Sequence, residues 1–248
     1  NNKKAQEVID LDRKETVKVL GEHFGVKPEY MGTPSFAYQI KSPEGIITID
    51  KDSKIKNSEG VEVELEELLN DFQEESVKVE AEHSEIIFSM AGHTGITLRN
   101  LINMINSKQS LIKKALGIET DIITKEFVEG INNTRIVSIE DFKTAALEIG
   151  AEKCPGISFN FEKETLEFKF IKGFENAEIA AQFCGVLNES SKKFKHSSPK
   201  ERQTDNEKYT FRTWLLRLGF IGDRYKEARN QLLKNLGGNS AFRRKINE

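Results

Sequence analysis

The sequence has few of the residues that cross-link a chain or hold a metal ion. Its two cysteines, Cys154 and Cys184, lie thirty positions apart and form no Cys-x-x-Cys pair. This spacing excludes a disulfide framework and a zinc knuckle, and it predicts two small buried hydrophobic side chains. The four histidines show neither His-x3-His nor His-Glu-x2-His spacing, so no local metal motif is present.

Long apolar segments are also absent. The N-terminal stretch NNKKAQEVIDLDRKE lacks the apolar core of a secretory signal. The longest apolar run, IAAQFCGVL at 179–187, is interrupted by Gln182 and is shorter than the roughly 18 residues of a membrane span. We therefore expect a soluble protein of the cytoplasm that makes no membrane contact.

Sequence motifs of catalysis are missing as well. The chain contains no Gly-x-Ser-x-Gly, no Gly-x-Gly-x-x-Gly and no complete phosphate-binding loop. The loop AGHTG (91–95) could present backbone amides to an anion, but a tight turn that needs two glycines is the favoured interpretation. His93 in that loop is the one histidine to consider for proton transfer, although a single loop histidine is ordinarily solvated. We predict a non-enzymatic protein without cofactors.

What the sequence does contain is an uneven distribution of charge. The net charge is −3, yet residues 192–248 hold 15 Lys and Arg against 6 Asp and Glu, a balance of +9. The remaining residues hold 22 basic and 34 acidic side chains, a balance of −12. An acidic body with a basic end is the main functional indication in the composition.

Periodic patterns of apolar residues predict two units, each with both helices and strands. In the first, Asp12 and Glu15 are spaced as a helix start, and Gly25 ends that helix. Strands are predicted at 35–40 and 45–49, and a short helix at 65–72.

The second unit is predicted to begin with a strand at 85–90 and to continue with helices. Thr124 and Ser138 have the positions of helix caps. Apolar alternation at 157–161 and again at 166–170 predicts a β-hairpin, and a long amphipathic helix follows it.

The C-terminal segment is predicted to be a helical hairpin that turns at residues 219–222. Asp223 is a candidate cap for its second helix. Trp214 and Tyr209 could stack on unpaired bases, but Trp214 has the spacing of a core residue. The fold class is therefore α+β, with antiparallel sheets covered by helices on one face and a C-terminal helical hairpin. The predicted boundaries are a small α+β unit at 10–72, an acidic linker at 73–84, an α+β unit with a β-hairpin at 85–195, and a basic helical segment at 196–248.

The basic segment supplies the candidate binding residues. They lie on the predicted solvent-facing sides of the two helices or at the end of the chain. Lys and Arg at such positions can donate hydrogen bonds to phosphate groups. They are Lys208, Arg212, Arg224, Lys226, Arg229, Lys234, Arg243 and Arg244. The alternative interpretation is a solvated helix face, or a segment that docks on the acidic body or on an acidic protein partner.

Three stretches carry a resemblance to a known family. They are PSFAYQI (34–40), LIKKALGI (111–118) and NEKYTFRTWLLRLGFIGDRYKEARNQLLKNLGGNSAFR (206–243). They resemble proteins labelled "virulence-related" from low-GC Gram-positive bacteria and from their prophages and conjugative elements. The resemblance implies an accessory protein of a mobile element in the bacterial cytoplasm, and it assigns no catalytic residues.

Three functions remain open on these observations. The first is an accessory protein that binds nucleic acid or a nucleoprotein complex through the basic helices. The second is an effector that binds and inhibits a host factor, for example a defence protein, because complementary charge steers association. The third and most remote is an enzyme whose site is assembled only in three dimensions. The sequence leaves the oligomeric state open.

Overall fold

The computed structural model describes residues 12–42, 45–69, 86–171, 174 and 176–240. The chain divides into two compact units, with the boundary after Leu69. Each unit contains an antiparallel sheet together with helices, which confirms the predicted α+β class. The predicted linker at 73–84 lies outside the described residues.

The first unit is built on an antiparallel sheet in the order β1-β2-β3-β4. Its elements are α1 (Arg13–His23), β1 (Glu29–Tyr30), β2 (Tyr38–Ser42), β3 (Gly45–Ile49), β4 (Ile55–Lys56) and α2 (Leu65–Leu69). The start of α1 is confirmed, since Oδ1 of Asp12 accepts a hydrogen bond from the amide of Glu15 at 2.9 Å. In the β2–β3 pair Ile40 lies opposite Ile47, and both side chains are buried.

The second unit combines a sheet in the order β5-β7-β6 with a group of helices. Its elements are β5 (Ile86–Ser89), α3 (Gly95–Asn106), α4 (Gln109–Leu116), α5 (Lys125–Asn133), α6 (Ile139–Ile149), β6 (Ile157–Asn160), β7 (Thr165–Phe168), α7 (Ala177–Lys193), α8 (Glu207–Arg217) and α9 (Lys226–Leu233).

The predicted β-hairpin is confirmed as β6 and β7. Leu166 of β7 lies between Phe88 of β5 and Phe159 of β6. Leu166 and Phe88 are buried, whereas Ile87 on the opposite side of the sheet is 42% exposed. The alternation of apolar and polar residues therefore gives the sheet one face that packs into the core.

Local sequence signals fix several helix ends. Oγ1 of Thr124 and Oγ of Ser138 accept hydrogen bonds from the third residue of α5 and α6, as predicted. Gly117 ends α4 in the left-handed conformation at φ 69°, which glycine adopts without steric cost. Helix α3 lies at the centre of the unit, where it contacts α4, α5, α6 and α7.

The C-terminal hairpin belongs to the same hydrophobic core. The ring centroid of Phe183 in α7 lies 6.4 Å from that of Phe211 and 6.2 Å from that of Trp214. The segment from 196 to 240 is thus integrated into the second unit. The prediction for Asp223 is wrong: this residue begins a short 3-10 turn (Asp223–Tyr225), and α9 starts at Lys226 without a side-chain cap.

Candidate functional site

The hairpin of α8 and α9 is fastened to α4 at one end. Nζ of Lys114 donates to both carboxylate oxygens of Glu207, at 2.9 and 2.7 Å. Glu207 also accepts the amide of Gly237 at 2.7 Å, and the carbonyl of Gly237 accepts the amide of Lys208 at 2.9 Å. Lys114 and the Gly237 amide together lower the pKa of Glu207. These bonds place the end of α9 beside the start of α8.

Three predicted site residues stand close to this fastened end. Lys208 and Arg212 lie one turn apart on α8 and are half-buried, while Lys234 at the end of α9 is exposed. Among the described residues, none of the three has a carboxylate within ion-pairing distance. We call Lys208, Arg212 and Lys234 the hairpin cations.

The opposite end of the hairpin has mixed charge. Arg224 is exposed and its guanidinium lies 4.6 Å above the centre of the Tyr225 ring. Lys226 is half-buried and already interacts within the chain. Asp223 and Glu227 are exposed beside them. Acidic and basic side chains alternate here, so this end is less suited to a polyanion than the end near α4.

Arg229 is not a surface residue. Its side chain is buried, and Nη1 donates to the carbonyl of Phe220 at 2.9 Å and to that of Gly222 at 3.1 Å. The guanidinium thereby supplies hydrogen-bond donors to two backbone carbonyls of the turn between α8 and α9. The prediction that Arg229 contacts a partner is therefore wrong. Arg243 and Arg244 lie outside the described residues.

Trp214 is 8% exposed and packs against Phe183 and Phe211, which confirms the core interpretation. Tyr209 is half-buried. Stacking of bases on Trp214 would require the hairpin to open, and the fold does not favour it.

A second group of cations lies on the segment between α7 and α8, which we call the strap (residues 194–202). Asn100 of α3 donates to the carbonyl of Phe194 at 2.6 Å and accepts the amide of Ser197 at 3.0 Å. Asn103 donates to the carbonyl of Ser197, and Asn106 to that of Pro199, each at 2.8 Å. Three asparagines of α3, spaced three residues apart, therefore hold the strap along that helix.

The strap continues along α4. The backbone amide of Ser110 donates to Oε1 of Glu201 at 3.0 Å. Ser110 and Lys114 are one helical turn apart, a rise of about 6 Å. Because Lys114 binds Glu207, the end of the strap lies close to the start of α8.

Sequence reasoning did not select the strap as a binding element. Its cations are Lys195, Lys200 and Arg202, all exposed and without a carboxylate partner in the described part of the chain. The signal was present in the spacing of Asn100, Asn103 and Asn106, but asparagine on a helix does not reveal what it binds.

His93 is buried, which contradicts the expectation of a solvated loop histidine. Its Nε2 lies 2.8 Å from Oδ1 of Asn188, and its Nδ1 lies 3.0 Å from Oγ1 of Thr97. Burial is the largest cause of its lowered pKa. The AGHTG loop is a tight turn, with Gly92 at φ 78° and Thr94 capping α3. The His93–Asn188 bond holds this loop against α7.

The second unit also has an apolar groove of about 370 Å³ beside the edge strand β6. Phe127, Leu147, Ile157, Phe159 and Phe161 supply most of its walls, with Glu152, Ser158 and Lys169 as polar members. Cys154 also lines it, and burial raises the pKa of this thiol to about 12; no histidine or arginine is among the lining residues.

Other classes of site receive no support in the part of the chain that the structure describes. No group of three or more His, Cys, Asp and Glu side chains is placed to hold a metal ion. Both cysteines are buried free thiols, as predicted. Within the described ranges, no helix has the length and apolar character that crossing a membrane requires.

Comparisons with known proteins assign neither a family nor a function. No protein-family model matches the chain, and neither a curated protein nor a solved structure is detectably similar to it.

Proposed function

We propose that the second unit binds nucleic acid through phosphate contacts made by the hairpin cations. The observation that supports this proposal is that Lys208, Arg212 and Lys234 lack carboxylate partners among the described residues. Lys208 and Lys234 lie near the point where the two ends of the hairpin meet, and Arg212 lies one turn further along α8. Lysine and arginine near a duplex or single strand displace condensed counterions, which provides sequence-independent affinity. Arg224 and Lys226 contribute less because Asp223 and Glu227 lie beside them.

The biological setting is proposed from the resemblance of residues 34–40, 111–118 and 206–243 to the "virulence-related" family. It favours a non-enzymatic accessory protein of a bacterial mobile element or prophage. A protein of this class would act on the nucleic acid of the element or of its host.

The test is a titration of mixed-sequence DNA and RNA with the full chain across a range of salt concentrations. The variant Lys208→Gln/Arg212→Gln/Lys234→Gln removes three cations and keeps polar helix-compatible side chains. We expect it to reduce the slope of log affinity against log salt concentration by about 3, since each phosphate contact contributes roughly 0.9.

The matched control is Lys125→Gln/Lys143→Gln/Lys163→Gln, which removes the same charge from α5, α6 and the β6–β7 turn. It should leave the slope close to that of the parent. The proposal is overturned if the parent shows no binding at low salt, or if both variants change the slope equally. A pull-down from host lysate, treated with nuclease, tests the alternative. If a protein stays bound to the parent and to the control but not to the hairpin variant, the partner is an acidic protein and not nucleic acid.

A further inference from the structure

A role for the strap in binding extends the proposed function and rests on it. We propose that the strap and the hairpin cations form one interface for the phosphate backbones of a nucleic-acid duplex, which is bound without unstacking or reading of its bases. The supporting observations are the fixed course of the strap, the donors that it exposes and, in the described part of this unit, the absence of an exposed Phe, Tyr or Trp ring.

The strap is fixed before any ligand arrives. Amide groups of Asn100, Asn103 and Asn106 hold its backbone over a length of α3 of about 9 Å. Glu201 then joins it to the start of α4. A loop whose backbone is already ordered loses less conformational entropy on binding, so its cations are more effective than those of a flexible segment.

The strap exposes groups that suit phosphate and sugar oxygens. Lys195, Lys200 and Arg202 are exposed, and His196 and Gln203 between and beside them are exposed as well. Glu201 is the acidic side chain among them, and its Oε1 accepts the Ser110 amide. The segment therefore presents donors to solvent along most of its length.

The strap and the hairpin cations lie along the same helix. Glu201 and Glu207 contact α4 one turn apart, and Lys208 follows Glu207 directly. Lys200 and Arg202 are thus brought near Lys208, and Lys234 joins them through the Gly237–Lys208 bond. The strap, the start of α8 and the residues after α9, which carry Lys200, Arg202, Lys208 and Lys234, are thus linked to one another at this end of the unit.

The aromatic residues indicate which form of nucleic acid fits. Proteins that bind single strands generally stack the bases on accessible aromatic rings. In the described part of the second unit, the large apolar side chains that are exposed are Ile87, Val137 and Leu147, none of them aromatic. The strap does expose the smaller ring of His196, but a cationic surface with no exposed Phe, Tyr or Trp among its described residues suits a ligand whose bases remain paired and whose phosphates face outward.

The experiment compares DNA and RNA duplexes of about 20 base pairs, roughly two helical turns, with single strands of the same length. The strap variant is Lys195→Gln/Lys200→Gln/Arg202→Gln, measured beside the hairpin variant and the Lys125/Lys143/Lys163 control. We expect the parent to bind a duplex more tightly than either of its strands. We expect the strap variant to lower the salt slope by about 3, as the hairpin variant does. The DNA and RNA arms identify which duplex is preferred.

A second variant tests the order of the strap without changing charge. Asn106→Ala removes the bond to the Pro199 carbonyl, and Asn106 is only half-buried, so the fold should persist. We expect weaker duplex binding with the salt slope of the parent. Unchanged affinity would show that the order of the strap in the free protein contributes nothing to duplex binding.

The outcomes separate this inference from the proposed function. If the strap variant keeps the parent slope while the hairpin variant loses it, the strap is no part of the interface and the proposed function stands. If single strands bind more tightly than the duplex, the inference of duplex recognition fails. If neither variant differs from the control, both proposals fail together.

Discussion

Nε2 of His93 lies 2.8 Å from Oδ1 of Asn188, and this bond connects the turn before α3 with the middle of α7. The carbonyl oxygen of Asn188 can only accept, so Nε2 carries the proton and donates. Oγ1 of Thr97 lies 3.0 Å from Nδ1 and 3.1 Å from the carbonyl oxygen of Thr94, so its one hydroxyl hydrogen serves one of these two acceptors at a time. Burial of the ring lowers the pKa of His93 and thereby favours the neutral imidazole.

The first prediction concerns pH. The pKa of His93 is lower in the folded protein than in the unfolded chain, so below about pH 6.5 the unfolded chain binds the proton more readily. The contribution of His93 to stability is therefore complete above that pH and is lost as the pH falls through the folded pKa. Urea unfolding of the parent at decreasing pH should show this loss.

The matched variants for this prediction are His93→Gln and His196→Gln. His196 is exposed on the strap, so its replacement should leave the pH dependence of stability unchanged. His93→Gln should reduce the dependence below about pH 6.5, where the unfolded histidine takes up a proton before the buried one does. An equal pH dependence in all three proteins would contradict the assignment.

The second prediction distinguishes two neighbouring arginines. Arg229→Ala removes two charge-assisted hydrogen bonds to the turn carbonyls, and we expect a loss of about 2–3 kcal/mol in the free energy of unfolding. Arg224→Ala removes an exposed side chain and should change stability by no more than about 0.5 kcal/mol. Chemical denaturation measures both, and similar losses would refute the structural role given to Arg229.

The third prediction concerns the packing of α3. A Cβ atom on Gly95 would overlap the carbonyl oxygen of Ser138, which is backbone and cannot turn away. Gly95→Ala should therefore destabilise the protein by about 2 kcal/mol or more, although alanine normally favours a helix.

Gly130→Ala is the comparison for that variant. A Cβ there would meet Cδ1 of Ile149 at 2.6 Å, and a flexible side chain can move aside. The loss of stability should be clearly smaller than for Gly95→Ala in the same thermal or urea unfolding assay. A larger loss at Gly130 would show that the contact between α3 and Ser138 is less rigid than described.

The fourth prediction concerns thiol reactivity. Burial raises the pKa of Cys154 to about 12 and raises that of Cys184 well above its ordinary value. Both thiols therefore remain protonated and shielded at neutral pH, and the native protein should not react with a thiol-specific chromogenic reagent. Two thiols should become reactive when the protein is unfolded in urea. Rapid reaction of either one under native conditions would mean that the core opens locally around it.

Features set by neighbouring residues were predictable from the sequence. The caps at Thr124 and Ser138 involve atoms three residues apart, and the β6–β7 hairpin follows from apolar alternation on two adjacent segments. The prediction at Asp223 failed because residues 223–225 first form a 3-10 turn, so that α9 begins only at Lys226.

Features set by distant residues were not predictable. His93 meets Asn188 across 95 positions, and Asn103 meets Ser197 across 94. Whether a polar side chain of this kind is exposed or buried depends on partners that only the fold brings close. The candidate cations were recognised as a group from composition, but the inward orientation of Arg229 and the role of the strap required the structure.

The side chains that hold the strap to α3 are amides, which carry no charge at any ordinary pH. Added salt does not screen their hydrogen bonds as it screens ion pairs between exposed side chains. The path of residues 194–199 should therefore stay the same from dilute buffer to concentrated electrolyte. Ionic strength would then act on the contacts to the ligand and on the Lys114–Glu207 ion pair, while residues 194–199 keep their shape.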